Sequence, residues 1–340
     1  MDIRMKWFRN LSVVLVTVVL YLLAVQSSIR VKETSDIITI LLKEQKLDAG
    51  QAKEIQQLEY EEETPIELNC WGEAGEISAE CKENGHRIRA LLVLTSEKTE
   101  LIVPESYLLV WQENGCFVDR ITASELFGTE QAAGQILWCD GQAYIVCGTF
   151  ESLRRTILRR AEKADGQILT TISCRISEEG SAAGSAEAFL MRHGLTGTCI
   201  DFTYFGCLSH DILLLLPIWL AVRLICRMKR MCREYSDSLN SAEPYVSQIR
   251  CVIMYIFPIL TAAATLWFLW KQFRVPKDMI PTVWSDFSFW ESWWETQRTN
   301  LVTMCATAQG EAQLMMLYSF YKSICCAVGA LGTFALISDK

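Results

Sequence analysis

The sequence lacks the residues and short motifs on which most enzyme active sites are built. It has three histidines in 340 residues, and none lies in an H-E-x-x-H motif or beside a cysteine pair at zinc spacing. The motifs G-x-S-x-G, G-x-G-x-x-G and G-x-x-x-x-G-K-[ST] are absent as well. We therefore expect no enzymatic activity, no cofactor, no metal ion and no nucleotide site of the phosphate-binding-loop type.

Charge is scarce in four apolar stretches and concentrated elsewhere. The stretches are Leu11 to Val25, Ile212 to Cys226, Cys251 to Trp270 and Ala312 to Ile337. A helix of about 20 mostly apolar residues crosses the hydrocarbon core of a bilayer, and somewhat fewer suffice where the flanking side chains reach the interface. The sequence thus predicts an integral membrane α-helical protein with about four transmembrane helices and an inserted extracytoplasmic α+β domain.

The first apolar stretch has two interpretations. Arg4, Lys6 and Arg9 precede it, as basic residues precede both a signal peptide and a retained anchor. No clean A-x-A cleavage site follows it, which favours the retained anchor.

Basic residues set the predicted orientation. They precede the first stretch and crowd the chain after the second, and such residues mark cytoplasmic segments. We therefore expect a cytoplasmic N-terminus in a cell-membrane protein and a domain outside the cytoplasm. The expected parts are residues 1–27 (tail and first span), residues 28–210 (external domain) and residues 211–340 (three spans, with a cytoplasmic loop at 227–249 and an external loop at 271–311).

Within the external region, hydrophobic periodicity predicts both helices and strands. Helices are expected over Asp36 to Leu47, from Asp48 onward and over Ser152 to Lys163. Strands Ile66 to Trp71 and Glu76 to Cys81 are expected to flank a glycine-containing turn, and Asp140 and Gly141 form the turn of a further hairpin. The helix over Ser152 to Lys163 would carry five basic residues, for which a solvated face is favoured over a nucleic-acid or lipid site. No nucleic-acid partner is expected.

Eight of the 14 cysteines fall in this external region. Across the Asp140-Gly141 turn, Cys139 would face Gln142, so Cys139 and Cys147 lie on opposite faces of the hairpin. Cys70 and Cys81 are likewise too far apart along the predicted strands to form a bridge. Bridges between distant elements and eight free thiols both remain open.

Two features of the membrane region invite functional interpretations. Lys322 interrupts the fourth apolar stretch, and an intramembrane lysine is a functional candidate. A side chain that reaches the headgroups from about one turn inside the boundary is the favoured explanation. The aromatic segment Trp284 to Trp294 could bind a ligand, but its tryptophan content favours the outer headgroup layer.

The segment from Gly115 to Phe150 resembles the last part of the periplasmic core domain of MacB and FtsX-like permeases. Its sequence is GCFVDRITASELFGTEQAAGQILWCDGQAYIVCGTF. Each matching position has a structural reason, either burial or a backbone conformation suited to glycine. The matching residues are Ala123, Leu126, Phe127, Gly128, Gly134, Gly141, Val146 and Gly148. The order of one span before the domain and three after it is also similar.

This resemblance implies a permease subunit of an ABC-type system that works with the lipid bilayer, a separate cytoplasmic ATPase and a homo- or heterodimeric permease partner. It implies that the loop after the second span docks on the ATPase and that the external domain moves with the spans. The candidate docking residues are Arg227, Lys229, Arg230, Arg233, Glu234 and Tyr235. The alternative is a membrane-anchored binding, sensor or scaffold protein with no ATPase partner.

Overall fold

The chain forms two compact units. The computed structural model describes residues 2–43, 45–96, 98–103, 114–175, 182–239, 244–275, 279–281, 287–306 and 310–338. We call residues 1–29, 207–275 and 319–340 the helical unit, and residues 30–206 with 276–318 the sheet domain.

The helices and strands follow one another along both units. The helices are α1 (Asp2–Ser35), α2 (Ala49–Tyr60), α3 (Arg120–Phe127), α4 (Ala182–Arg192), α5 (Thr203–Leu213), α6 (Leu215–Leu239), α7 (Pro244–Gln272), α8 (Phe287–Ala306) and α9 (Glu311–Ser338). The strands are β1 (Ile37–Leu42), β2 (Glu67–Cys81), β3 (His86–Thr95), β4 (Gly115–Asp119), β5 (Ile136–Cys139), β6 (Gln142–Phe150), β7 (Thr156–Arg160), β8 (Thr171–Arg175) and β9 (Gly197–Ile200). Short 3-10 turns lie at Thr99–Leu101 and Lys163–Asp165.

Six strands of the sheet domain close into a barrel. The strand order is β3-β7-β4-β6-β5-β2-β8-β1-β9, and β3 also pairs with β2, which closes the ring from β2 through β3, β7, β4, β6 and β5. The 15-residue strand β2 continues past the barrel, where it pairs with β8. The sheet then extends through β1 to β9. One long strand thus belongs to both the barrel and an open sheet.

Local sequence sets several boundaries. Asp48 caps α2 and forms a capping box with Gln51, while Asp119 caps α3 by accepting from the Thr122 N–H at 3.0 Å. Gly128 ends α3 with φ 72°, a conformation that glycine adopts without strain. Cys139 faces Gln142 across the predicted hairpin turn.

Two predicted helices are strands instead. The segment predicted as a helix over Asp36 to Leu47 forms β1, and the segment predicted over Ser152 to Lys163 forms β7. Both strands lie between two neighbours and have buried residues on both faces. β1 is an almost continuous apolar run, and in β7 two apolar residues precede two arginines; periodicity does not separate such short segments from helices.

The predicted turn between Trp71 and Glu76 is also wrong. The chain continues there as the single strand β2, with a register shift between Glu73 and Gly75. Gly75 has φ 99° at this bulge, so its freedom bends the strand without reversing it. Cys70 and Cys81 therefore lie far apart on one strand.

Within the residues that the structure describes, three helical segments are long and apolar enough to cross a membrane. They are Leu11–Ser35, Thr203–Met231 and Glu311–Ala335. The predicted third span falls on α7, a helix of 29 residues that is not among these three; several of its side chains lie outside the described residues. The number four therefore stays a prediction.

In the helical unit, α1 packs against α9. The Thr17 and Thr333 hydroxyls are 2.9 Å apart, and Ser323 donates to the Ala24 carbonyl oxygen at 3.1 Å. Ser323 and Ala327 are buried. The small residues of α9 thus allow close helix packing.

Stability of the sheet domain should fall in acid because of Glu67. Lys98 and Arg175 each lie 2.9 Å from its carboxylate, and the hydrogen bond from Lys98 is the main reason why its pKa is lowered. A lowered pKa in the folded state stabilises above the unfolded value, which is about 4.3, and that stabilisation is lost as the pH falls through the folded pKa. We expect Glu67→Gln to reduce the unfolding midpoint at pH 7 only slightly, because both ion pairs are more than 40% exposed.

The measurement is thermal unfolding of wild type and Glu67→Gln at pH 7 and in acid below the folded pKa. The two midpoints should converge in acid, since Glu67 is then protonated. A difference that persists unchanged at low pH contradicts the assignment.

Candidate functional site

The first turn of α9 is held in the sheet domain by a buried carboxylate. Glu311 is 1% exposed. Its Oε1 accepts hydrogen bonds from Arg154 Nε at 3.0 Å and Thr156 Oγ1 at 3.0 Å, and its Oε2 accepts one from Ser152 Oγ. Arg154 Nη2 lies 2.9 Å from Oε1, so the carboxylate is both paired and hydrogen-bonded. We call Ser152, Arg154, Thr156 and Glu311 the α9 joint.

A second carboxylate completes the charge pattern of the joint. Glu73 Oε1 on β2 lies 3.2 Å from Arg154 Nη2. Arg154 therefore bridges a barrel strand and the start of α9. Burying a charge is costly unless it is paired, so the ion pair favours this one geometry over geometries that separate the two groups.

Close packing beside the joint leaves room only for glycine. A Cβ on Gly310 would lie 2.8 Å from the ring of Trp71, whose indole N–H donates to Ser173 Oγ at 2.9 Å. Gln313, one turn further, donates to Thr39 Oγ1 on β1. The chain thus enters α9 against three strands of the sheet: β1, β2 and β8.

Helix α1 is joined directly to β1, the strand that Gln313 contacts. Helix α1 ends at Ser35 and β1 begins at Ile37, so a single residue separates the helix from the sheet. A Cβ on Gly206 would lie 2.2 Å from Ser35 Oγ, which shows how closely the chain packs there. Both α1 and α9 are therefore joined to β1, one covalently and one through Gln313.

The carboxylate of the joint is fully partnered, and little space adjoins it. Every oxygen of Glu311 has a partner within the domain, and the neighbouring cavity, lined by Trp71, Gln313 and Met316 among others, has a volume of only about 10 Å³. That space holds about one water molecule. The arrangement fixes the first turn of α9 to the sheet.

The predicted docking residues lie elsewhere, on a helix instead of a loop. Most of the segment predicted as the loop 227–249 is helical, because α6 continues to Leu239 and α7 begins at Pro244. The side chains that the structure describes there are exposed: Arg227, Lys229, Arg230, Arg233 and Glu234. The side chain of Tyr235 lies outside the described residues. No part of the α9 joint belongs to this set.

Lys322 and the aromatic segment are also separate from the joint. Lys322 lies on an exposed face of α9 in the helical unit. The described part of the aromatic segment forms α8 instead of a loop, since its sequence from Phe287 to Ala306 contains no glycine or proline. Trp293 packs edge-on against Tyr204, with ring centroids 5.6 Å apart. Trp284 lies outside the described residues.

The joint was missed because its residues carry ordinary signals in the sequence. Arg154 belongs to the basic group that was read as a solvated helix face, and Glu311 looks like a common acidic residue at a helix start. One hint is available in the sequence. Glu311 is an acidic residue at the start of an apolar helix, distant in sequence from any basic partner.

The external cysteines are free thiols among the described residues. Burial raises the pKa of Cys70, Cys139 and Cys174 to about 12. Thiols with raised pKa values carry little thiolate and react slowly. These side chains therefore behave as small apolar core residues.

Comparison with known proteins gives matches only among solved structures. No protein-family model matches the chain, and no curated protein does. The periplasmic region of MacB from Actinobacillus actinomycetemcomitans matches with 9% identity and a TM-score of 0.39, over 49% of this chain and 89% of that chain. The extracellular domain of the noncanonic ABC-type transporter YknZ from Gram-positive bacteria matches with 14% identity and a TM-score of 0.35, over 48% of this chain and 97% of that chain. Both are domains of the kind that the stretch from Gly115 to Phe150 resembles.

Proposed function

We propose that this chain is a permease-type subunit of an ABC-type system, in which a separate cytoplasmic ATPase moves the sheet domain outside the cytoplasm. The movement serves export of a substrate or signalling to a partner in the cell envelope. The chain itself carries out no catalysis.

The α9 joint is the observation that carries this proposal. A domain that only binds a ligand needs no more than a flexible tether to its membrane helices. Here Glu311 is buried against Arg154 at the start of α9, and α1 passes into β1 through one residue. Helices built into a sheet in this way favour transmission of motion over simple anchoring.

The proposal includes four spans, a cytoplasmic N-terminus and docking of the ATPase at the end of α6. Arg227, Lys229, Arg230 and Arg233 are exposed there within a few helical turns, and basic residues of this density favour the cytoplasmic side. A second permease copy, identical or related, would complete the assembly.

Charge reversal on α6 tests the coupling. The variant carries Arg230→Glu and Arg233→Glu, and the matched control carries Lys53→Glu and Arg89→Glu, two exposed basic residues of the sheet domain. Each is purified from its native membranes with ATP or a non-hydrolysable analogue, and ABC ATPase subunits are quantified by mass spectrometry and ATP hydrolysis. We expect the amount of ATPase that co-purifies with the α6 variant to fall at least about tenfold, because like charges replace the docking contacts.

The control should retain the wild-type amount of ATPase. If the wild-type chain purifies intact without an ABC ATPase in every nucleotide state, the proposal is wrong and the alternative of a membrane-anchored binding or scaffold protein takes its place.

A further inference from the structure

The barrel of the sheet domain contains a cavity at one mouth. Its volume is about 220 Å³. Each of the six barrel strands contributes to the lining, through Ile77, Leu92, Cys116, Cys139, Tyr144 and Ile157 in turn. Mouths of β-barrels are common places for small-molecule sites. The cavity is below the 300 to 1,000 Å³ usual for drug-sized ligands, so it fits a smaller molecule.

Three aliphatic side chains and two neutral thiols line the cavity together with its polar rim. Ile77, Leu92 and Ile157 supply aliphatic surface, and the two cysteines supply thiols that burial keeps protonated. Cys116 is fully buried and Cys139 is 7% exposed. Sulfur-bearing side chains of this size leave space where larger residues would fill a barrel of six strands.

The rim carries more negative than positive charge. Arg159 is paired with Asp165, whose Oδ1 lies 2.7 Å from Nη2, and its guanidinium carbon lies 5.5 Å from the centroid of the Tyr144 ring. Asp140 also lines the cavity, at the exposed turn between β5 and β6. No ion pair involving Asp140 occurs in the part of the chain that the structure describes. One carboxylate at the rim is therefore uncompensated.

We infer that this cavity binds a small organic amine, protonated at neutral pH, with its ammonium group at Asp140 and its apolar body between Ile77, Leu92 and Ile157. The carboxylate attracts a cation, and the side-chain oxygen of Gln142, which accepts from the Tyr144 hydroxyl at 2.6 Å, adds an acceptor at the rim. An anion would meet Asp140 and Asp165, and Arg159 is already neutralised. This site goes beyond the proposed function and does not depend on it, because binding needs no ATPase.

A matched series of probes tests the charge preference. Phenethylamine, 2-phenylethanol and 3-phenylpropionate share a phenyl ring and a two-carbon chain but are cationic, neutral and anionic at pH 7. Binding to the full chain in nanodiscs of neutral lipid is measured by calorimetry against empty nanodiscs. We expect saturable binding of phenethylamine, weaker binding of the alcohol and the weakest binding of the carboxylate.

Two variants locate the site. Asp140→Asn removes the charge and keeps the turn, since asparagine tolerates the φ of 48° at this position. It should weaken binding of phenethylamine about tenfold or more, as expected for loss of a charged partner, whereas Glu76→Gln, on an exposed residue of β2, should have no effect. Ile77→Trp, which fills the cavity from a half-buried position, should abolish binding of all three probes.

The inference can be overturned by each of these measurements. It is wrong if phenethylamine shows no saturable binding, if the carboxylate binds as tightly as the amine, or if Asp140→Asn and Glu76→Gln behave alike while both proteins keep the wild-type unfolding midpoint. Retained binding in a folded Ile77→Trp variant would place the ligand outside the cavity.

Discussion

Replacing Arg154 by alanine is expected to destabilise the sheet domain by about 3 to 5 kcal/mol, because it leaves the Glu311 carboxylate buried without its cation. Glu311 is 1% exposed and would keep only the hydroxyl donors of Ser152 and Thr156. Urea-induced unfolding of the full chain in detergent measures the loss. Hydrogen exchange should place it at β7 and the first turn of α9.

The neighbouring residue provides a matched control. Arg155 also forms an ion pair, with Glu125 Oε1 at 2.8 Å, but its side chain is 52% exposed. Exposed pairs contribute little, so Arg155→Ala should leave the unfolding midpoint close to that of wild type. Adding Glu311→Gln to Arg154→Ala should recover part of the loss, since the buried charge is then removed. Equal effects of Arg154→Ala and Arg155→Ala would mean that the joint adds no more stability than a surface pair.

The same pair tests the mechanical role. On the proposed function, a folded Arg154→Ala and Glu311→Gln double variant should still bind the proposed ATPase but no longer support export or signalling, which would separate transmission from docking. Full activity of this variant would show that the joint is only a structural contact.

Replacing Gly72 by alanine is the second change with a large expected effect. A Cβ at this position would lie 2.2 Å from the carbonyl oxygen of Ile168, a backbone atom that cannot turn aside. Overpacking costs typically 1 to 3 kcal/mol and occasionally more, and this overlap is severe. We therefore expect a loss of about 3 kcal/mol or more, with β2 displaced from the segment that precedes β8.

Gly75 on the same strand separates crowding from backbone strain. Nothing lies within 4 Å of a Cβ built there, but φ is 99°. Gly75→Ala should therefore cost only about 1 to 2 kcal/mol, the usual penalty for a side chain at positive φ. Thermal unfolding of both variants gives the comparison. A smaller loss for Gly72→Ala than for Gly75→Ala would contradict the close approach of Ile168.

Sequence patterns predicted those parts of the fold that local chemistry determines. The start of α2 at Asp48 and the turn at Asp140 and Gly141 each depend on a few neighbouring residues. The strands β1 and β7 were misread, because whether an apolar run is a helix or a central strand depends on partners that lie far away in the chain. The turn expected near Gly72 was wrong for the same reason. The surroundings of this glycine are set by Ile168, which is distant in sequence, and not by its neighbours in the chain.

The candidate site could not be predicted from the sequence, for a related reason. Arg154 and Glu311 are separated by more than 150 residues, and neither position carries a motif. Closure of the barrel likewise depends on the pairing of β3 with β2 in addition to β7. The cavity at its mouth exists only once that ring is closed.

The strand order has a consequence for how the domain behaves among neighbours. Because β3 pairs back onto β2, the described sheet ends in one open edge, at β9. Exposed edges are templates onto which a foreign strand can add, the first step toward fibres and swapped dimers. At β9 that template is four residues long, and α8 lies against it. An added strand would therefore find few backbone groups to pair with, and it would also have to displace α8.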